Sequence, residues 1–264
     1  MRPKILFSFY SFAFALLCVS AVAAQTSNKS EPLRIGETLT YEGKFSKALL
    51  RGIDVADLNF TVERAPTDKR NFVVKADAKS KGALAKLINF DFNQNFQSTI
   101  DGEHFQILKT VKHDEQGSRV RDSEAIFDYR AKKVVYVETD PNETARAPRR
   151  VASAIENDTQ DLVSAIYLMR RLPLAVGKTF ELKISDSGLI FRLPVKVTAR
   201  ELQKTVAGRS WCYRVEPEIF GKNRLIEKEG SLIIWITDDA RRLPVRAQIN
   251  TGIGRVEVKL KTVK

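Results

Sequence analysis

The sequence predicts a mainly β fold: a large curved antiparallel sheet or half-open β-barrel, with one covering helix at about 158–171 and a cleaved N-terminal signal helix. Three observations carry this. Apolar residues alternate with period two through most of the chain, which puts one face of each strand on a core and the other in water. Turn punctuation such as Asp101-Gly102, Gln116-Gly117 and Ala207-Gly208 separates the alternating runs. Helical segments are too few for β-α-β units, so the roughly dozen strands must join as antiparallel meanders.

The chain opens with Arg2 and Lys4, an almost unbroken apolar run from Ile5 to Val19, and small residues at Val22-Ala23-Ala24 before Gln25. That is the three-part layout of a secretory signal peptide over residues 1–24. The run is short of the ~20 residues a spanning helix needs. Leu17, rather than a small residue, precedes Cys18, which disfavours lipidation. The mature protein is therefore expected to be exported to the periplasm and to be soluble there with no integral membrane segment after cleavage. A polar linker over 25–32 leads to a single β-rich domain over 33–264.

Elements follow in order. Val55–Val62, Phe105–Val111, Ala125–Tyr129 and Val134–Val137 read as strands. Ala83–Asn89 reads as a short helical turn. Asp140 to Glu156, with Pro141, Pro148 and three arginines, reads as a mobile basic loop. Asp158 is expected to cap the main helix and Asp161 to lie near its positive end. Leu162, Val163, Ile166 and Met169 recur at helical spacing, Arg170 and Arg171 suit the negative end, and Pro173 stops the helix. Phe180, Leu182 and Ile184 alternate, as do Leu189, Phe191, Leu193, Val195 and Val197, and then Trp211, Tyr213 and Val215. Leu232 to Ile236 is apolar on both faces, with Ile233 and Trp235 pointing away from Leu232, Ile234 and Ile236. Such a strand needs cover on both sides. Val245–Ile249 and Val256–Leu260 end the chain around Thr251-Gly252-Ile253-Gly254.

Composition narrows the chemistry. Loss of Arg2 and Lys4 would reduce the 44 basic residues to 42, against 32 acidic ones, a net charge of +10. Outside the cytosol such a field favours a lipid or other envelope component, or an acidic envelope protein, and makes nucleic acid a poor partner. After signal removal one cysteine remains, Cys212, which reads as a buried structural side chain. The two histidines, His104 and His113, read as surface residues, and no Gly-x-Ser-x-Gly elbow is present. One cysteine and two histidines make no zinc site, so neither metal nor other cofactor is expected. Gly177-Lys178-Thr179 lacks the earlier glycine and the following helix of a phosphate loop. Two carboxylate pairs, Asp158 with Asp161 and Asp238 with Asp239, are the remaining catalytic candidates. Their structural use at turns and helix starts is the stronger reading.

Three segments carry a resemblance. Gly36-Glu37-Thr38-Leu39-Thr40-Tyr41 opens the mature domain. Asp161-Leu162-Val163-Ser164-Ala165-Ile166-Tyr167-Leu168-Met169-Arg170 follows, then Pro173-Leu174 and Gly177. Trp235-Ile236-Thr237-Asp238-Asp239-Ala240-Arg241-Arg242-Leu243-Pro244-Val245 stands near the end. In that order they resemble the bacterial exported proteins grouped as domain of unknown function 3108. The resemblance implies an envelope protein of antiparallel β structure and brings no catalytic residue.

The expected function is non-enzymatic periplasmic binding or scaffolding, for an apolar or lipid-like ligand held between sheet and helix. Leu162, Ile166, Met169, Arg170, Arg171 and Trp235 are the candidate ligand-binding residues. Arg170 and Arg171 are positioned to face an anionic head group. Asp238, Asp239, Arg241, Arg242 and Pro244 form a structural corner in which Asp238 and Asp239 bond turn amides. The alternatives are an envelope glycan-acting enzyme using aspartates, and an interaction module of an outer-membrane or wall complex. The plainest outcome for the helix is that it and the sheet fill each other without a pocket.

Overall fold

The alternating runs become strands of one sheet. The computed structural model describes residues 33–82 and 91–264; the expected signal peptide, the linker and the Ala83–Asn89 turn lie outside the described residues. The first eight strands are β1 (Thr38–Lys47), β2 (Leu50–Arg64), β3 (Phe72–Ser80), β4 (Phe92–Ile100), β5 (Ile107–Gln116), β6 (Arg119–Asp128), β7 (Lys133–Thr139) and β8 (Arg149–Ala154). Helix α1 (Leu162–Arg171) follows. The remaining strands are β9 (Thr179–Asp186), β10 (Leu189–Thr205), β11 (Gly208–Pro217), β12 (Gly230–Thr237), β13 (Pro244–Thr251) and β14 (Gly254–Val263).

All fourteen pair antiparallel in the order β8-β7-β6-β5-β4-β3-β2-β1-β14-β13-β12-β11-β10-β9. Two meanders are thus sewn together where the first strand meets the last, Phe45 opposite Val256 and Tyr41 opposite Leu260. The sheet curls until its edges approach without pairing. At that seam Ser153 Oγ donates to the Gly188 carbonyl at 2.6 Å. Gly188 has φ of +81°, and a Cβ there would sit 2.7 Å from side-chain carbons of Tyr136 and Val151. Only glycine allows both the turn and the close approach.

Strand β8 corrects the expected loop. Val151 is its single inward apolar residue, packed on the core of the first meander, while Arg149 and Arg150 pair with Glu138 and Val137 of β7. One apolar residue gives no readable alternation, and charge on an edge strand discourages pairing with another chain.

Helix α1 lies inside the curve. Val163 and Tyr167 pack with Ile100, Ile107 and Phe127 of the first meander. Ala165 and Met169 pack with Leu182, Leu193 and Ile234 of the second. A helix apolar on nearly every side belongs in an interior. Its N-cap is Asp161, not Asp158: the Asp161 carboxylate accepts from Ser164 N at 2.7 Å and Ser164 Oγ accepts from Asp161 N at 3.0 Å. The physical reason is that the chain before 161 is committed elsewhere. Asp158 is ion-paired with Lys183 at 2.9 Å, and Gln160 forms a parallel bridge to Ile184 of β9. Asp161 also accepts hydroxyls from Ser98 and Thr110, which fixes the helix start to β4 and β5.

Candidate binding cavity

Helix and sheet do not fill each other. Between α1 and the centre of the sheet lies a cavity of about 300 Å³. The helix wall is Leu162, Ala165, Ile166 and Met169. The strands opposite contribute Leu58 and Phe60 from β2, Leu232 and Ile234 from β12, and Ala247 and Ile249 from β13. Ile219 and Leu225, from the loop between β11 and β12, complete the wall at one end. The cavity explains why Leu58, Phe60, Ile166, Leu232, Ile249 and Val258 are only partly buried although they face inward.

The opposite end is closed by charge. Arg170 is buried and donates to both Glu37 oxygens, at 2.6 and 3.0 Å, and to the Arg241 carbonyl at 3.1 Å. Arg241 adds a longer pair to Glu37 at 3.4 Å. One cluster therefore joins the C-terminal end of α1, the residue before β1 and the corner before β13. Two tyrosines stand beside it. Desolvation pushes the Tyr41 hydroxyl well above its ordinary value, and the neighbouring Tyr167 adds to the shift. Desolvation, then the Glu37 charge, does the same to Tyr167. Both are neutral phenols, and Tyr41 meets Phe60 edge to face at 5.7 Å. An apolar chamber with a neutralised ion pair at one end suits an apolar guest and offers no nucleophile-base arrangement.

Four of the six expected ligand residues reach this cavity: Leu162, Ile166, Met169 and Arg170. Arg170 does so with its charge already matched by Glu37, so it presents no free cation to a head group. Arg171 turns elsewhere, its guanidinium 4.6 Å from the Phe105 ring centre. Trp235 points to the outer face. Its indole Nε1 donates to Glu201 at 2.8 Å, and the Arg246 guanidinium covers the ring at 4.4 Å. The second face of β12 is thus covered by these long polar side chains and by an apolar cluster that holds Trp235 with Cys212, Leu243 and Val245.

The corner divides its aspartates. Asp239 accepts from Arg241 N and Arg242 N at 2.9 and 3.0 Å and from the Thr237 hydroxyl at 2.9 Å. Asp238 holds no turn amide; it pairs with Arg200 Nε at 2.8 Å. Pro244 opens β13 and touches the cavity. The Arg242 guanidinium lies 5.1 Å from the Tyr213 ring centre. Cys212 is fully buried. Among the described residues no group of three or more His, Cys, Asp or Glu could hold a metal, and no helix is long and apolar enough to cross a membrane. Sequence reasoning missed Tyr41 and Phe60 as cavity residues and Glu37 as the partner of Arg170. For Glu37 and Tyr41 the only signal was the alternation Glu37, Leu39, Tyr41, which many other strands share.

The curled sheet has a counterpart among solved structures. A β-barrel-like protein of domain of unknown function 1849 from Brucella abortus superposes with a TM-score of 0.58 at 8% identity, covering 88% of this chain and 98% of its own. The likeness is one of fold alone. A hypothetical protein from Chlamydia trachomatis gives a TM-score of 0.35 at 9% identity, with 88% of each chain covered. No curated protein matches the sequence significantly. Residues 38–261 match the family described as protein of unknown function DUF3108, and the chain belongs to that family.

Proposed function

We propose that this DUF3108 chain is a non-enzymatic binding protein of the bacterial periplasm that carries an apolar or lipid-like ligand between α1 and the sheet. The observation that supports the reading is the cavity of about 300 Å³ walled by aliphatic and aromatic side chains, at the small end of the roughly 300–1,000 Å³ usual for ligand sites. The signal-like pattern over residues 1–24 supports export, with cleavage between Ala24 and Gln25 expected from N-terminal sequencing.

The glycan-acting alternative has less to stand on. Asp158 is tied to Lys183, Asp161 caps the helix, Asp238 pairs with Arg200 and Asp239 holds a turn. Each of these carboxylates is thus already engaged in a cap, a turn or an ion pair, as a structural role requires.

Two measurements test the carrier reading. Native mass spectrometry with lipid extraction of protein recovered from its own host should reveal a co-purifying amphiphile. Titration of delipidated protein with a fluorescent fatty acid should saturate at one equivalent. Absence of both a co-purifying ligand and saturable binding would refute it.

A further inference from the structure

Antiparallel pairing brings three connections to one end of the curled sheet: the β1–β2 turn, the β13–β14 turn and the β11–β12 loop. Ser46 pairs with Arg255, which sets the first two turns side by side. Gly230 pairs with Thr251, which brings in the third. Each connection thrusts an apolar side chain into solvent. Leu49 is 98% exposed and Leu50 43%; Ile253 is 57% exposed and Ile226 37%. Aliphatic side chains at turn tips gain nothing in water, where turns normally carry polar residues.

The charges around them form a second, independent pattern. Lys47, Arg51 and Arg255 flank the two tips, and Lys222 and Lys228 lie in the loop; all five are exposed. None of the five makes an ion pair among the described residues. Inward from the tip the rule is the reverse, with Lys44 facing Asp54 at 2.9 Å and Lys81 facing Asp57 at 2.7 Å. The loop also carries Glu227 and Glu229, so the end remains net positive by three over these seven residues. Apolar tips ringed by unpaired bases match a surface with an anionic skin and an apolar interior. The cavity reaches this same end: Ile219 and Leu225 come from the loop, and Leu232 and Ile249 pair one inward step from Gly230 and Thr251.

We propose that this end docks on an anionic phospholipid bilayer, with Leu49, Leu50 and Ile253 entering the acyl region and Lys47, Arg51 and Arg255 resting on the phosphates. The docking stands on the tips and their charges. Its link to ligand transfer rests on the carrier reading above. The occupant is a bilayer and not a second chain, because a second copy would bring the same unpaired bases against these.

The test is flotation of the purified chain with vesicles of phosphatidylethanolamine and phosphatidylglycerol, against vesicles of phosphatidylcholine alone. The chain should float with the anionic vesicles only, and less so as salt is raised. Neutralising the three bases (K47Q/R51Q/R255Q) should weaken binding about 100-fold, since each base near an anionic surface is worth roughly a factor of five. Removing the apolar tips (L49S/I253S) should weaken it by at least about tenfold. Both variants should keep the wild-type melting temperature, because these side chains hold no partner in the fold. Trp211→Ser, at the exposed β10–β11 hairpin of the other end, should float as wild type does. Failure of the wild-type chain to float, equal binding by both tip variants, or loss of binding in W211S would overturn the proposal. So would a concentration-dependent dimer in sedimentation velocity that L49S/I253S abolishes. Fluorescent fatty acid should still saturate L49S/I253S, which separates failure of docking from failure of the carrier reading.

Discussion

Removing one member of the Glu37–Arg170 pair should destabilise the fold more than any other surface or corner change considered. Both side chains are 1% exposed and share two hydrogen bonds, at 2.6 and 3.0 Å. Arg170→Met leaves a carboxylate inside the protein with only the longer Arg241 contact. Glu37→Leu leaves a buried guanidinium without its carboxylate counter-charge. Breaking a buried pair from one side costs about 3–5 kcal/mol, whereas replacing both partners with apolar groups is often close to neutral. At about 2–4 °C per kcal/mol for a chain of this size, each single variant should melt roughly 6–20 °C below wild type. The double variant E37L/R170M should recover most of that loss, since Arg241 is partly exposed and can be hydrated. Urea unfolding supplies the free energies, with an unchanged slope showing that the unfolded state is the same. Single costs below about 1 kcal/mol, or a double variant that merely adds the two losses, would refute the claim that desolvated charge at this joint is what stabilises it.

Further expectations concern the corner, the thiol and a surface histidine. Asp239→Ala removes the acceptor for two turn amides and should cost about 1–2 kcal/mol, by analogy with helix caps. Asp238→Ala breaks part-exposed pairs with Arg200 and, more distantly, Arg242, and should cost less than about 1 kcal/mol; thermal melts of the two separate them. Burial, with Asp239 and Asp238 nearby, pushes the Cys212 thiol up to about 11. Thiol reagents should therefore label it slowly in the native protein and rapidly in denaturant. Hydrogen bonds to Glu115 and then Asp122 hold the His113 imidazole above its ordinary value. A raised folded value means the stabilisation is complete below roughly pH 6.5 and is lost as pH rises through the folded value. His113→Asn should thus lower the melting temperature in acid and leave it unchanged in alkali. The size should stay below about 1 kcal/mol, because the group is partly exposed.

What the sequence made legible was periodic. The line Leu193, Val195, Val197 is buried in β10; of the α1 stripe, Val163 and Met169 are buried, while Leu162 and Ile166 face the cavity. The split of β12 into inward Leu232, Ile234 and Ile236 and outward Trp235 is found as the alternation demands. What stayed hidden was either unpatterned or distant. Strand β8 has one inward apolar residue. The helix cap falls three residues after the expected one because β9 holds Gln160, a tertiary contact with no local signature. Glu37 meets Arg170 across 133 positions of sequence, and nothing in either neighbourhood announces the other. Trp235 showed that a two-faced apolar strand can be covered by a small apolar cluster with Cys212 and Val245, capped by an arginine and a glutamate.

The cavity itself makes the last prediction. Sealed and dry, a void of about 300 Å³ would cost up to the order of 7 kcal/mol at roughly 24 cal/mol per Å³ of residual volume. That is comparable with the whole stability of an ordinary domain, about 5–15 kcal/mol. Water is a poor filling, since a buried molecule wants about three polar partners and this wall is aliphatic along most of its length. An apolar ligand removes the cost, and so should a larger side chain. Ala247 is well placed for it: its strand neighbours Ile234 and Val258 also line the chamber, and its side chain is only partly buried. Ala247→Leu should stabilise the delipidated protein by about 1–2 kcal/mol, the transfer energy of the added carbons, and weaken fatty-acid binding in parallel. Wild-type protein saturated with fatty acid should gain stability that the variant does not, by linkage. If A247L destabilises the delipidated chain and leaves binding intact, the void is not where the ligand goes, and the carrier reading loses the observation that supports it.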